Sequence, residues 1–323
     1  MKTRLLTGLG IVFVLAIAFI LKFYVSNYFF DVLVLAIGVV SAYETSKLLA
    51  KMGRYNDKIM SVLFPPMLML ILLFGIYGDK SVGLLFTLVL AVALLVVFSV
   101  ITFLIPLVTY KKTVSEIKTR KLDKQMGVAK FSLIRALNTS LIFIYPTLLI
   151  SFLTLINHFE DLSTTFAGLS GFNGYISLYV LLFAFLIPIF TDTFAYITGG
   201  IFYGKKLAPK ISPKKTISGA VGGLLWCILL SVVVFSIFNA FPSMSAMLAN
   251  AGINIWKVVV ISALGSILSQ CGDLVESYLK RSAGVKDSGS FLPGHGGMLD
   301  RFDSYVFVAP FVFIAFSIIF VLL

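Results

Sequence analysis

Between Ser277 and Ser304 an otherwise apolar chain turns polar, with four basic residues (Lys280, Arg281, Lys286, Arg301), three carboxylates (Asp287, Asp300, Asp303), His295 and five glycines. Such a cluster beside apolar segments is costly unless it meets something charged. Its residue types suit a metal and phosphate site. Read as a helix, residues 270–281 set Asp273, Ser277 and Lys280 at i, i+4 and i+7 on one face, flanked by Glu276 and Arg281. A carboxylate, a hydroxyl and a cation on one stripe suit a metal-bound phosphate; the plainer reading is an amphipathic exit from an apolar helix. The run Pro293-Gly294-His295-Gly296-Gly297 is incompatible with regular helix. Its glycines let backbone approach a ligand closely, which makes His295 a candidate contact. Asp300 and Asp303 follow at i, i+3, on one face of the next helix. Hard oxygen ligands with a single histidine suit Mg²⁺ rather than zinc.

Two clusters lie upstream. Asp192 sits in or just past an apolar run and shares a helical face with Tyr196 and Gly199. An intramembrane carboxylate is a functional candidate by default, the alternative being a hydrogen bond made for packing. Further on, Ser212-Pro213-Lys214-Lys215-Thr216 precedes glycines 219, 222 and 223, which open an apolar helix. Backbone N–H groups at a helix start favour anions, and the two lysines add charge. The glycine-lysine order of a Walker loop is absent. The competing reading is a basic stop at a span end, with small residues for close helix packing.

The elements that must position these groups are apolar helices. The 323 residues are 59% hydrophobic and 12% charged, against about 45–50% and about 25% for soluble domains; mean hydropathy is +1.03. Nine apolar segments, 5–25, 30–49, 59–77, 81–109, 135–156, 176–198, 217–239, 254–272 and 304–323, each approach the roughly 20 residues a bilayer-spanning helix needs. The predicted fold is all-α, a polytopic membrane protein with no room for a large soluble domain. The first segment has no small-residue cleavage site after it and is expected to remain as an anchor. Alternate connections hold 23 of the 26 lysines and arginines; the others hold only Lys22, Lys80 and Lys257. The positive-inside rule then predicts a cytoplasmic amino terminus and an outside carboxyl terminus.

The net charge of +12 reads as topology plus attraction to anionic headgroups, about 1 kcal/mol per basic residue near the surface, rather than as nucleic-acid binding. The basic run from Lys111 to Lys130 is expected to be a solvated cytoplasmic loop. No disulfide is expected between Cys227 and Cys271, which read as packing residues. Residues 1–157 form an amino-terminal set of about five spans, and 158–323 a catalytic region of about four, with site loops at 199–216 and 273–303. In the first set, Glu44 is expected to snorkel or pair locally with Lys47, and Asp31 to be solvated at an outer interface. The outer connections 157–175 and 240–253 are polar without charge clusters. No internal repeat is visible, which disfavours a secondary transporter.

The carboxyl-terminal motifs resemble the phosphatidate cytidylyltransferase (CDP-diacylglycerol synthase) family. They are Ser277, Lys280-Arg281, Lys286-Asp287, Leu292-Pro293-Gly294-His295-Gly296-Gly297 and Asp300-Arg301-Phe302-Asp303, joined upstream by Asp192, Ala195-Tyr196 and Ser212-Pro213-Lys214-Lys215-Thr216. The resemblance covers about residues 188–304; the first half is similar only in being multi-spanning. Tyr203 stands where the family often has glycine, and Ser218 where it frequently carries Glu or Gln.

The resemblance implies a Mg²⁺-dependent nucleotidyltransferase of phospholipid biosynthesis. Its substrates would be CTP and phosphatidate, its products CDP-diacylglycerol and pyrophosphate. It would work as a homodimer in the cytoplasmic membrane, among membrane lipids, with its site facing the cytoplasm. On that reading Asp273, Asp300, Lys280, Arg281 and Arg301 are catalytic. Asp273, Asp300 and Asp303 hold one or two cations, a monovalent one being an alternative. Asp192, Tyr196, Ser212, Lys214, Lys215, Thr216, Ser277, Lys286, Asp287, His295, Gly296 and Gly297 bind substrate. Two other functions fit fewer of the residues: a CTP-dependent kinase for a lipid alcohol such as a polyprenol, and an ion or metabolite transporter.

Overall fold

The computed structural model describes residues 2–77, 83–119, 127–162 and 175–321, the side chains of residues 2–6, 11 and 12 excepted. Lys80, residues 120–126 of the basic connection and residues 163–174 of an outer one lie outside the described residues. Four long helices open the chain: α1 (Lys2–Tyr24), α2 (Tyr28–Lys51), α3 (Lys58–Tyr77) and α4 (Leu84–Val108), followed by a short α5 (Tyr110–Thr119). The next span is built from α6 (Val128–Ile142), a π-helical stretch (Phe143–Leu148) and α7 (Leu149–Asn157). Then come α8 (Tyr175–Phe202), a hairpin of β1 (Lys206–Ala208) and β2 (Ser212–Thr216), α9 (Ile217–Asn239), α10 (Pro242–Asn250) and α11 (Ile255–Ser282). The last span joins α12 (Leu299–Phe302) to α13 (Tyr305–Val321). Nine segments of the described residues are long and apolar enough to cross a membrane, as expected.

The segments that carry chemistry outrun their predicted ends. α8 continues to Phe202, α11 to Ser282, and the last span begins at Leu299. Apolar run length marks the bilayer-facing part of a helix, whereas backbone hydrogen bonding continues into the polar residues beyond. Part of the expected basic loop is also helical: α5 lies against α4 and buries Thr113 and Ile117.

Lipid tails are as apolar as leucine, so helix association here rests on close packing and interhelical hydrogen bonds. α8 and α9 show the first. A Cβ added to Gly223 would lie 2.6 Å from the Thr191 carbonyl and 2.9 Å from Ala195 Cβ, so only glycine admits α8 at that distance. Thr216 caps α9, accepting the Gly219 N–H at 3.1 Å. Aromatic rings fill the centre: Phe159 stacks on Phe313 with centroids 5.1 Å apart, and Phe183 and Phe316 are fully buried. Helices from the two ends of the chain interleave, α7 lying against α8 and α13, and α2 against α7 and α12.

Where the broken span loses a hydrogen bond to Pro146, which has no N–H, the Ile142 carbonyl instead accepts from Thr147 Oγ1 at 3.1 Å.

Two expectations about charged residues are corrected. Asp31 is buried, not solvated. Its carboxylate meets His158 Nε2 at 2.8 Å and accepts from Asn157 Nδ2 at 3.0 Å. His158 Nδ1 meets Asp161 at 2.6 Å, and Lys22 Nζ donates to Asn27, the Asn157 carbonyl and Ser177. A charged knot therefore ties α1, α2, α7 and α8 at one end of the bundle, where the sequence showed no charge cluster, because its members come from four separate segments. Burial opposes charging His158, but its hydrogen bonds to Asp161 and Asp31 outweigh that and raise its pKa. Burial likewise works against the Asp161 charge, yet the bond from His158 holds its pKa below the usual value. The second correction is Glu44. It does not snorkel; it is buried against backbone N–H groups at the far end of the chain.

Candidate active site

At the opposite end of α8 from the charged knot, a cavity of about 580 Å³ opens among α8, the hairpin, α9, α11 and the loop leading into α12. α8 supplies Asp192, Tyr196 and Gly199; the hairpin supplies Lys206, Lys214, Lys215 and Thr216. Asp273 and Lys280 come from α11, and Asp287, Asp300, Arg301 and Asp303 from the loop and α12. Residues more than a hundred positions apart thus meet in one space of mixed charge, where anionic phosphates and cations can both be held.

The helical spacing on α11 does what its pattern predicts. Ser277 Oγ donates to Asp273 Oδ1 at 3.2 Å, one turn away. The other Asp273 oxygen pairs with Lys215, brought in by β2. Lys280 pairs with Asp300 at 2.7 Å and with Glu276, which is fully buried. Glu276, a flanking residue in the sequence pattern, is a partner of Lys280 in the structure, at the i, i+4 spacing that the sequence shows.

The glycine-rich loop is shaped around Asp300. Its Oδ2 accepts from the Ser288 N–H at 2.8 Å, Ser288 Oγ at 2.9 Å and the Gly297 N–H at 2.7 Å. Gly296 has φ +85°, and a Cβ there would lie 2.6 Å from that same oxygen. Both demands exclude a side chain. Arg301 donates twice to the His295 carbonyl, at 3.2 and 2.9 Å, closing the loop. Lys286, Asp287, His295 and Arg301 line a second cavity of about 590 Å³, walled largely by this loop. Asp287 and Arg301 border both spaces. Ser212 lies in β2 without lining either cavity, and Arg281 Nε donates to the Ile211 carbonyl at 3.3 Å, bracing the hairpin.

The expected trio Asp273, Asp300 and Asp303 is not gathered as a metal cluster. Among the described residues no three His, Cys, Asp or Glu side chains stand together as an ion's ligands. The donors nevertheless differ in availability. Both Asp300 oxygens are engaged by Lys280 and the loop. Asp303 uses one oxygen on the Ser304 N–H at 2.7 Å, and Asp192 uses one on Ser304 Oγ at 3.3 Å. The second oxygen of each carries no hydrogen bond among the described residues, and both side chains line the cavity with Asp273. Such carboxylate oxygens fit a hard divalent cation, with the Lys215 ammonium already marking Asp273 as a place for positive charge.

The chain matches the cytidylyltransferase family over residues 2–319. It is 49% identical over 133 residues to a Staphylococcus haemolyticus protein named phosphatidate cytidylyltransferase. Proteins of the same name from Staphylococcus saprophyticus and Staphylococcus aureus are 50% identical over 133 residues and 46% over 135. Each alignment covers 41% of this chain and 47% of the relative, so the chain spans about half the length of the curated relatives it matches. With nearly all of its helices and every residue of the cavity inside the matched stretch, this membrane-spanning chain belongs to the cytidylyltransferase family.

Proposed function

We propose that the chain transfers CMP from CTP to phosphatidate, giving CDP-diacylglycerol and pyrophosphate. The observation that carries this is a single cavity at the end of membrane-spanning helices whose walls hold both carboxylates and lysines. The names of the relatives support the same substrates.

A phosphatidate oxygen attacks the α-phosphorus of CTP. A phosphorus–oxygen bond forms there as the bond to the β-phosphate bridging oxygen breaks, and pyrophosphate leaves with that electron pair. A phosphate monoester has a second pKa of about 6, so at neutral pH the nucleophile is largely dianionic and needs no strong base. Charge is the obstacle. Two like charges at about 4 Å repel by about 4 kcal/mol at an effective dielectric near 20, and each substrate brings several. Lys206, Lys214, Lys215, Lys280 and Arg301 face that space and offset the repulsion, stabilising the leaving pyrophosphate and the lipid phosphate. Asp192, Asp273 and Asp303 would hold Mg²⁺, which when bound neutralises charge on the triphosphate. Asp300 shapes the loop that presents Asp287 and Arg301. Tyr196, exposed on the α8 wall of the cavity, offers a surface to a lipid entering sideways from the bilayer. The lysine-rich connections support a cytoplasmic position for this end of the bundle, on the side where CTP is found. As the resemblance implies, the working unit is a homodimer.

The test is purified protein in detergent with labelled phosphatidate, CTP and Mg²⁺, with ATP and GTP as controls. Liponucleotide and pyrophosphate in equal amounts are expected with CTP alone. Phospholipid plus CDP from a lipid alcohol would instead mark a lipid kinase, and undiminished liponucleotide synthesis after exhaustive chelation would remove the metal from the reading.

A further inference from the structure

Glu44 lies in α2, in the half of the chain without site motifs, and is buried. Its Oε1 accepts the Met298 N–H at 3.1 Å. Its Oε2 accepts the Leu299 N–H at 2.9 Å and lies 3.2 Å from Ser288 Oγ, whose single proton it shares with Asp300. These partners bracket the glycine-rich loop, two of them where α12 begins. Neither N–H has a partner within so short a helix, and the Glu44 carboxylate supplies one. The loop is built to receive this side chain: a Cβ on Gly289 or Gly297 would run into the Glu44 carboxylate. Asp300 grips the same loop from within, through Ser288 and Gly297. Ser288 Oγ stands within hydrogen-bond distance of both carboxylates.

We propose that Glu44 is a positioning residue of the active site, clamping the Ser288–Leu299 loop from the amino-terminal half so that Asp287, His295 and Arg301 face the substrates. Its polar contacts go to that loop and to no other span among the described residues. Its loss should therefore loosen the loop while leaving the bundle packed. The inference rests on the phosphatidate cytidylyltransferase reading for its kinetic arm only.

The experiment compares wild type with E44Q in detergent by steady-state kinetics and by amide hydrogen exchange with mass spectrometry. The glutamine keeps the length of the side chain but presents an amino group to at least one backbone donor. Misplacing reacting groups by about 1 Å costs about a hundredfold, so kcat is expected to fall ten- to a hundredfold with a smaller change in KM. Exchange should rise in peptides covering 288–299 and stay unchanged in α8 and α9. Wild-type exchange and kinetics in E44Q would overturn the proposal, as would loss of protection spread evenly over the bundle. Should E44Q fail to fold, E44D decides, since it keeps the charge but draws the carboxylate back from the loop and leaves the Asp300 contacts intact. Raised exchange confined to 288–299 with lowered kcat supports the clamp, and unchanged exchange there refutes it. A wild-type protein inactive on phosphatidate and CTP would refute the functional reading, while the exchange comparison, which needs no substrate, would still decide the role of Glu44.

Discussion

Lys280→Met removes the one cation that, among the described residues, touches both Glu276 and Asp300. The Lys280–Asp300 contact of 2.7 Å corresponds to about 6 kcal/mol of attraction at an effective dielectric near 20, before desolvation is set against it. Removing one partner of a buried pair typically costs about 3–5 kcal/mol, because the other charge stays buried and uncompensated. Here two carboxylates are left facing each other, one of them fully buried. At about 2–4 °C per kcal/mol the melting temperature should drop by roughly 6–20 °C. The double variant E276Q/K280M removes the buried anion with its partner and should recover a substantial part of that loss. It should not recover activity, since Lys280 also lines the cavity. Thermal unfolding in detergent, followed by intrinsic fluorescence, gives the stability cycle, and liponucleotide formation gives activity. A K280M protein melting within about 2 °C of wild type, or a double variant no more stable than K280M, would refute this account of the pair.

Other outcomes follow from the same geometry. Asp303→Asn should raise the Mg²⁺ concentration for half-maximal activity at least about tenfold; an unchanged metal titration would take Asp303 out of the metal proposal. Gly223→Ala should force α8 away from α9 and destabilise by about 1–3 kcal/mol, read as a lower melting temperature, and an unshifted transition would show that the interface yields freely. The charged knot makes stability depend on pH. The folded pKa of His158 is raised, so its contribution is full below about 6.5 and is lost as pH rises through the higher folded value. Melting temperature should fall over that window in wild type and stay flatter in His158→Gln; parallel curves would contradict it.

Local pattern carried much of this protein. Run length located all nine long apolar segments of the described residues, because a bilayer imposes one requirement on every span, and helical periodicity put Asp273, Ser277 and Lys280 on one face of α11. The glycines of the loop were legible as points of close approach, though not what approaches them. Tertiary structure alone decided the partners. Lys215 reaches Asp273 from a hairpin, Asp300 spends its oxygens on the loop instead of keeping them for an ion, and Asp31 meets His158 across 127 residues. Glu44 is the clearest case: in sequence it sits one helical turn from Lys47, in space it binds backbone 254 and 255 residues away. A carboxylate's choice among donors depends on which ones burial brings within about 3 Å, and that distance has no signature in spacing along the chain.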